Sequence, residues 1–169
     1  MPMVVNGLPA HVLIVHFVVV LVPATALLLI LSVVWPAARE RIGVFGPLLG
    51  GITMIFALVA AEAGDWLKHK LNLDDETINQ HANYGSILQY VTIAVFGLFL
   101  GWWIVAASGG QRILGKLGPL ESVGRHKVVQ LAVGVGAVVV ALVSVYLVVM
   151  AGDTGAQSTW SGYKDLLSK

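Results

Sequence analysis

The chain has 169 residues, of which 57% are hydrophobic and 11% are charged, whereas an average soluble domain carries about 25% charged residues. This composition, with a mean hydropathy of +0.86, excludes a water-soluble globular domain as the main part of the chain. The net charge of +1 comes with no basic stripe, which argues against nucleic-acid binding. The absence of cysteine excludes thiolate metal sites, iron–sulfur clusters and internal disulfides.

Four uncharged apolar segments are long enough to cross about 30 Å of hydrocarbon as helices. They cover residues 12–35, 42–61, 87–107 and 128–151. The first run is too long for the core of a signal peptide and no basic residue precedes it, so it is predicted to be a permanent span. Because open strands would leave backbone groups unsatisfied in lipid, we predict an all-α fold. Residues 1–169 are predicted to form a single domain, an integral membrane four-helix bundle.

The distribution of basic residues predicts the orientation of this bundle. The connections 36–41 and 108–127 hold Arg39, Arg41, Arg112, Lys116, Arg125 and Lys127, whereas the opposite side holds Lys68, Lys70, Lys164 and Lys169. Since basic residues collect on the cytoplasmic side, both termini and the 62–86 connection are predicted to be external. The short first connection predicts that the first two helices form an antiparallel hairpin.

Small residues at a spacing of four predict close helix packing. The pairs are Gly46 with Gly50, Gly97 with Gly101, Ala132 with Gly136, and Ala137 with Ala141. They fit either a compact bundle or the interface of a homo-oligomer. No internal repeat and no low-complexity tract is evident in the sequence.

Most of the metal-ligating side chains are predicted to lie at the external ends of the helices. These residues are His11, His16, His69, His81, Glu62, Asp65 and Asp153, whereas His126 lies on the other side. Nitrogen and oxygen ligands gathered at one end of a bundle are what zinc, copper, iron or a haem iron requires.

His16 is the most diagnostic of these residues, because it lies inside the first apolar run, where an ionisable group usually faces the bundle interior. We therefore predict His16 and His81 as metal ligands or as axial ligands of a haem b. Additional cofactor contacts are predicted from His11 and Tyr84, and additional metal ligands or orienting groups from Glu62, Asp65 and His69. The alternative is that these polar groups are simply solvated helix ends.

No catalytic residue is predicted. The signatures G-x-S-x-G, H-E-x-x-H, the phosphate loop and the dinucleotide-binding glycine pattern are all missing from the sequence, which favours a protein without enzymatic activity.

Several motifs resemble a bacterial family of four-helix membrane proteins, domain of unknown function 2231 (DUF2231). They are AHVLIVHF at 10–17, Gly-Asp-Trp at 64–66, His81 with Asn83 and Tyr84, and Gly-Asp-Thr-Gly-Ala at 152–156. The family opening places its two histidines on His11 and His16, with Val18 in place of its proline. Its closing motif often has a histidine where this chain has Asp153. The resemblance implies a bacterial inner-membrane location, and members joined to Rieske-type or other redox modules imply an association with electron transfer.

Three functions remain open at this stage. The first is a haem- or metal-binding protein of electron transfer, with redox or respiratory membrane proteins as partners. The second is a non-catalytic accessory subunit of a larger membrane complex. The third is a proton-handling element, since histidines beside carboxylates titrate near neutral pH.

Overall fold

Six helices make up most of the part of the chain that the structure describes. The structure is a computed structural model and describes residues 3–116, 124 and 126–160. The helices are α1 (Ala10–Val34), α2 (Pro36–Ile42), α3 (Phe45–Lys70), α4 (Glu76–Ala106), α5 (Ser108–Leu114) and α6 (Lys127–Trp160). The four long ones, α1, α3, α4 and α6, are long and apolar enough to cross a membrane, which confirms the predicted all-α membrane bundle.

A small β-hairpin precedes α1. Its strands β1 (Val4–Val5) and β2 (Leu8–Pro9) pair antiparallel. Asn6 and Gly7 form the turn at φ 50° and 80°, because two-residue hairpin turns need positive φ and Asn-Gly supplies it at little cost. The hairpin ends directly at the start of α1.

The connection between α1 and α3 is itself a short helix. Pro36 restricts the preceding Trp35 to extended backbone, observed at φ −126° and ψ 102°, so α1 ends there. The same proline begins α2 at a position where its missing N–H costs nothing. α5 connects α4 to α6 in the same way. Neither short helix was predicted, because both are much shorter than the roughly 20 apolar residues of a membrane span.

The long helices extend beyond the predicted spans at one end of the bundle. α3 continues to Lys70 and α4 begins at Glu76, although the sequence from 62 to 86 is polar and was predicted as a connection. Asp75 caps α4, its carboxylate accepting a hydrogen bond from the Thr77 N–H at 2.9 Å. Helix outside the hydrocarbon needs no apolar residues, so hydropathy underestimates its length.

The four long helices form a ring in which each packs mainly against two others. α1 and α4 each pack against α3 and α6, so α1 and α4 stand at opposite corners. We call the end where α1 and α4 begin the terminal end, and the end that carries α2 and α5 the connector end. The core has one cluster around Val18 and Leu88 and a second around Leu29 and Phe99.

The two halves of the chain repeat one arrangement of helices, which the sequence analysis did not detect. Each half consists of a long helix, a short helix and a second long helix. Each buried position of α4 lies 70 residues after a buried position of α1. At the terminal end, His81 likewise lies 70 residues after His11. The corresponding pairs are His11 and His81, Val18 and Leu88, Val22 and Thr92, Thr25 and Val95, Leu29 and Phe99, and Ser32 and Trp102.

The second long helices repeat in the same way with an offset of 91 residues. The buried pairs are Gly46 and Ala137, Gly50 and Ala141, Thr53 and Ser144, Ala57 and Val148, Ala60 and Ala151, and Ala63 and Thr154. Most buried positions of α3 and α6 hold small residues, whereas most of those on α1 and α4 hold larger ones. This arrangement relates the two halves by an approximate two-fold axis along the bundle.

The two glycine pairs have different environments. Gly46 and Gly50 are buried, and a Cβ at Gly46 would collide with the Phe99 ring, so this pair permits close packing of α3 on α4. Gly97 and Gly101 have no atom within 4 Å of a Cβ placed on them. They face outward, and their use in an oligomer stays a prediction.

Candidate metal centre

Two histidines from the two halves meet inside the bundle at its terminal end. The ring centroids of His11 and His81 are 5.9 Å apart, and the ring planes are inclined by 85°. His11 is the second residue of α1, and His81 lies in the second turn of α4. Because α1 and α4 occupy opposite corners, the two half-buried rings approach the approximate two-fold axis from opposite sides.

Each ring is held by a hydrogen bond to the backbone of the following long helix. His11 Nδ1 lies 2.8 Å from the carbonyl oxygen of Ala60 on α3, and His81 Nδ1 lies 2.8 Å from that of Ala151 on α6. A carbonyl oxygen only accepts, so each Nδ1 carries the proton and donates it. In the neutral ring Nε2 then keeps a free lone pair, and neither Nε2 makes a hydrogen bond within the described residues.

Glycine makes room for each ring. Gly64 and Gly155 follow Ala60 and Ala151 by one helical turn. A Cβ at Gly64 would lie 2.8 Å from His11 Nδ1, and one at Gly155 would lie 3.0 Å from His81 Nδ1. Each half therefore has one alanine–glycine pair that accommodates a histidine ring. We call these pairs, Ala60 with Gly64 and Ala151 with Gly155, the glycine seats.

The structure gives His11 the interior position expected for His16. The His16 ring is exposed, and its Nδ1 lies 2.6 Å from the carbonyl oxygen of Val12 in its own helix. The physical reason is the five-residue spacing, which separates two side chains by about 140° around a helix. With His11 directed inward, His16 points outward, so it does not join His81.

The predicted carboxylate ligands are separated from the histidine pair. His69 contacts Asp65 of its own helix, with Nδ1 2.8 Å from the backbone oxygen and 3.4 Å from Oδ1, and both side chains are more than 70% exposed. Glu62 and its counterpart Asp153 are also exposed. Within the described residues, no three His, Asp or Glu side chains form a group able to hold a metal ion.

Tyr84 lies one turn after His81 and is partly buried. It packs against the core cluster around Val18 and Leu88. Its counterpart in the other half is Ile14, which packs against the same cluster. Tyr84 thus adds a hydroxyl to one half of the layer beneath the histidines.

Sequence reasoning missed the two glycine seats, although the sequence contains a signal for them. Residues 60–64 read AAEAG and residues 151–155 read AGDTG, which share an alanine, a carboxylate and a glycine at the same spacing. The first segment is on the long helix that follows the one carrying His11, and the second is on the long helix that follows the one carrying His81. Aligning the two segments would therefore have identified His11 rather than His16 as the partner of His81.

Comparison with known proteins gives one family. A match to the predicted membrane proteins of DUF2231 covers residues 7–163, which includes both histidines and both glycine seats. No curated protein and no solved structure matches the chain. The match extends over nearly the whole chain, and the protein therefore belongs to the DUF2231 family of predicted membrane proteins.

Proposed function

We propose that this protein holds a transition-metal centre between His11 and His81 and takes part in electron transfer at the membrane surface. The observation that carries the proposal is the histidine pair itself. The ring centroids of two imidazoles at equivalent positions lie 5.9 Å apart, and each Nδ1 is hydrogen-bonded to a backbone carbonyl. We further propose a bacterial inner-membrane location with the terminal end external.

The separation of the rings fits one shared metal. With metal–nitrogen distances of about 2.0–2.1 Å, two imidazoles on one ion have centroids about 5 Å apart at the tetrahedral angle and about 6 Å apart when opposed. The observed 5.9 Å lies within this range.

The hydrogen bonds supply what a ligating imidazole needs. Metal-bound histidines commonly donate their other N–H to a carbonyl or carboxylate, which fixes the tautomer and the ring orientation. Ala60 and Ala151 provide such acceptors. Imidazole is a suitable ligand for iron, copper and zinc, and a haem iron or copper bound here would supply the redox chemistry.

The experiment is a metal analysis and a reduced-minus-oxidised spectrum of the protein purified in mild detergent from cells grown with ample iron and copper. Haem bands or about one metal ion per chain should be present in the native protein. His11→Gln and His81→Gln should each lose them, whereas the matched control His16→Gln should retain them. Circular dichroism and gel filtration establish that each variant is folded.

Three results would overturn the proposal. The first is a native protein that holds neither haem nor metal after loading. The second is loss of the centre in His16→Gln. The third is retention of the centre in both His11→Gln and His81→Gln.

The alternative function is an accessory subunit of a larger membrane complex, and the outward position of Gly97 and Gly101 favours it. Outward-facing glycines four residues apart on α4 allow a helix of another subunit to approach closely. In that case Gly97→Leu with Gly101→Leu should abolish co-purification of a partner. His11→Gln should leave co-purification intact.

A further inference from the structure

A lateral groove opens between α1 and α6 near the connector end of the bundle. Its volume is about 470 Å³. Val33 of α1 and Trp102 of α4 form one side of it, and the exposed face of α6 forms the other. The α6 residues are Lys127, Gln130, Leu131, Gly134, Val135, Val138 and Val139.

The walls of the groove are apolar because the polar groups that line them have partners. The Trp102 indole N–H donates to the Ser32 carbonyl oxygen at 3.1 Å. The Gln130 amide nitrogen donates to the carbonyl oxygens of Val105 and Gly124 at 3.0 and 3.3 Å. The groove therefore presents hydrocarbon along most of its length.

Lys127 supplies a cation at one end. It is exposed, and within the described residues it makes no hydrogen bond or ion pair. From Lys127 to Val139 the groove follows twelve residues of α6, about 18 Å at 1.5 Å per residue. This length is close to the depth of one leaflet, about 15 Å.

We propose that this groove binds an anionic phospholipid, with one acyl chain along α6 and the phosphate at Lys127. The hydrocarbon walls match the chain, and the ammonium group complements the negative headgroup. This site is about one bundle length from the histidine pair and does not depend on it.

The test is native mass spectrometry of the full chain released from detergent with added phosphatidylglycerol or phosphatidylcholine. One phosphatidylglycerol should remain bound to the native protein. Val33→Trp places a large indole in the groove and should abolish retention. Val34→Trp, which is outside the groove and 64% exposed in the native chain, should retain the lipid.

A second variant separates the headgroup from the chain. Lys127→Gln should reduce the preference for phosphatidylglycerol over phosphatidylcholine about fivefold, the effect expected of one basic residue at a membrane surface, while a lipid of either kind still binds. Equal lipid retention by Val33→Trp and Val34→Trp would overturn the proposal. So would a dimer whose formation Val33→Trp prevents, because the groove would then hold a second copy of the chain.

Discussion

Thr25 Oγ1 and Thr53 Oγ1 lie 2.7 Å apart in the centre of the bundle, where each side chain is at most 2% exposed. Thr53 donates its own proton to the Leu49 carbonyl oxygen at 2.9 Å, so Thr25 must donate to Thr53. This hydrogen bond joins α1 to α3. Its counterpart in the other half is lost, because Val95 replaces Thr25 and Ser144 donates to Ala141 of its own helix.

The threonine bond should show a measurable coupling energy. Thr25→Val and Thr53→Val, made singly and together, should give a coupling of about 0.6 kcal/mol and at most about 1.7 kcal/mol, the range for such bonds in membranes. The measurement is unfolding in mixed micelles. The control cycle combines Thr25→Val with Thr92→Val, since Thr92 bonds to Gln89 of its own helix, and should show no coupling. Equal coupling in both cycles would contradict a direct bond.

The glycine seats should tolerate no side chain. Gly64→Ala places a methyl group 2.8 Å from His11 Nδ1, so the ring must leave the Ala60 carbonyl, at a cost of about 1–3 kcal/mol. Gly155→Ala should cost less, because its contact with His81 is 3.0 Å.

The control for the seats is Gly97→Ala, which meets nothing within 4 Å. It should be neutral or stabilise α4 by up to about 1 kcal/mol. Thermal unfolding in detergent measures all three variants. A Gly64→Ala protein as stable as Gly97→Ala would show that the His11 ring is not confined by α3.

Arg39 should be a main stabilising residue of the connector end. Its Nε donates to the Ser32 carbonyl oxygen at 2.8 Å and its Nη2 to that of Val33 at 3.0 Å, with the guanidinium 4.7 Å from the Trp102 ring centroid. It thereby satisfies two carbonyls at the end of α1 that have no helical partner. Gln111 has a related role in the other half, where it donates to one carbonyl oxygen near the end of α4, that of Val105, at 3.1 Å.

Replacing Arg39 with methionine keeps the length of the side chain and removes these bonds. We expect Arg39→Met to lower the free energy of unfolding by about 2 kcal/mol, the scale of hydrogen bonds from a charged group. Arg41→Met is the control, because Arg41 is exposed on the same short helix, and it should change stability by less than about 0.5 kcal/mol. Similar losses in both variants would indicate a general charge effect.

Glu40 should make stability depend on pH. The Ser108 hydroxyl and the Ser108 backbone N–H both donate to its carboxylate, and these bonds lower the pKa of Glu40 below its ordinary value. The folded protein therefore gains stability from the ionised group above the pKa of the unfolded chain. This gain is lost as pH falls through the lower folded pKa.

The measurement is the unfolding temperature between about pH 3 and pH 7. Ser108→Ala removes the larger cause of the pKa shift, so its deficit relative to the native protein should be greatest at neutral pH and shrink in acid. The control Ser86→Ala lies at an exposed position of α4. A deficit that stays constant over the pH range would mean that Ser108 does not act through Glu40.

The four spans could be predicted because lipid imposes a simple rule: about 20 apolar residues per crossing. That rule does not apply outside the hydrocarbon, so α2, α5 and the polar ends of α3 and α4 were missed. Asp75 was a usable capping signal, since its side chain caps the start of α4.

The histidine pair could be predicted only in part. His81 was identified, but His16 was preferred to His11 because it lies deeper in the first apolar run. The repeated arrangement was not visible in the sequence because the halves share buried positions rather than residue identities: Leu29 corresponds to Phe99 and Ser32 to Trp102. Such equivalence becomes visible once the structure shows which faces are buried.

The approximate two-fold axis also means that the order of the halves along the chain is not what holds the bundle together. α1 begins at Ala10 and α6 ends at Trp160, and these neighbouring helices have those ends on the same side of the bundle. A circular permutant that starts at Glu76 and joins Trp160 through a linker to Ala10 should therefore form the same bundle. In the native chain, the five residues at 71–75 would therefore serve only as a tether between two hairpins that recognise each other through their surfaces.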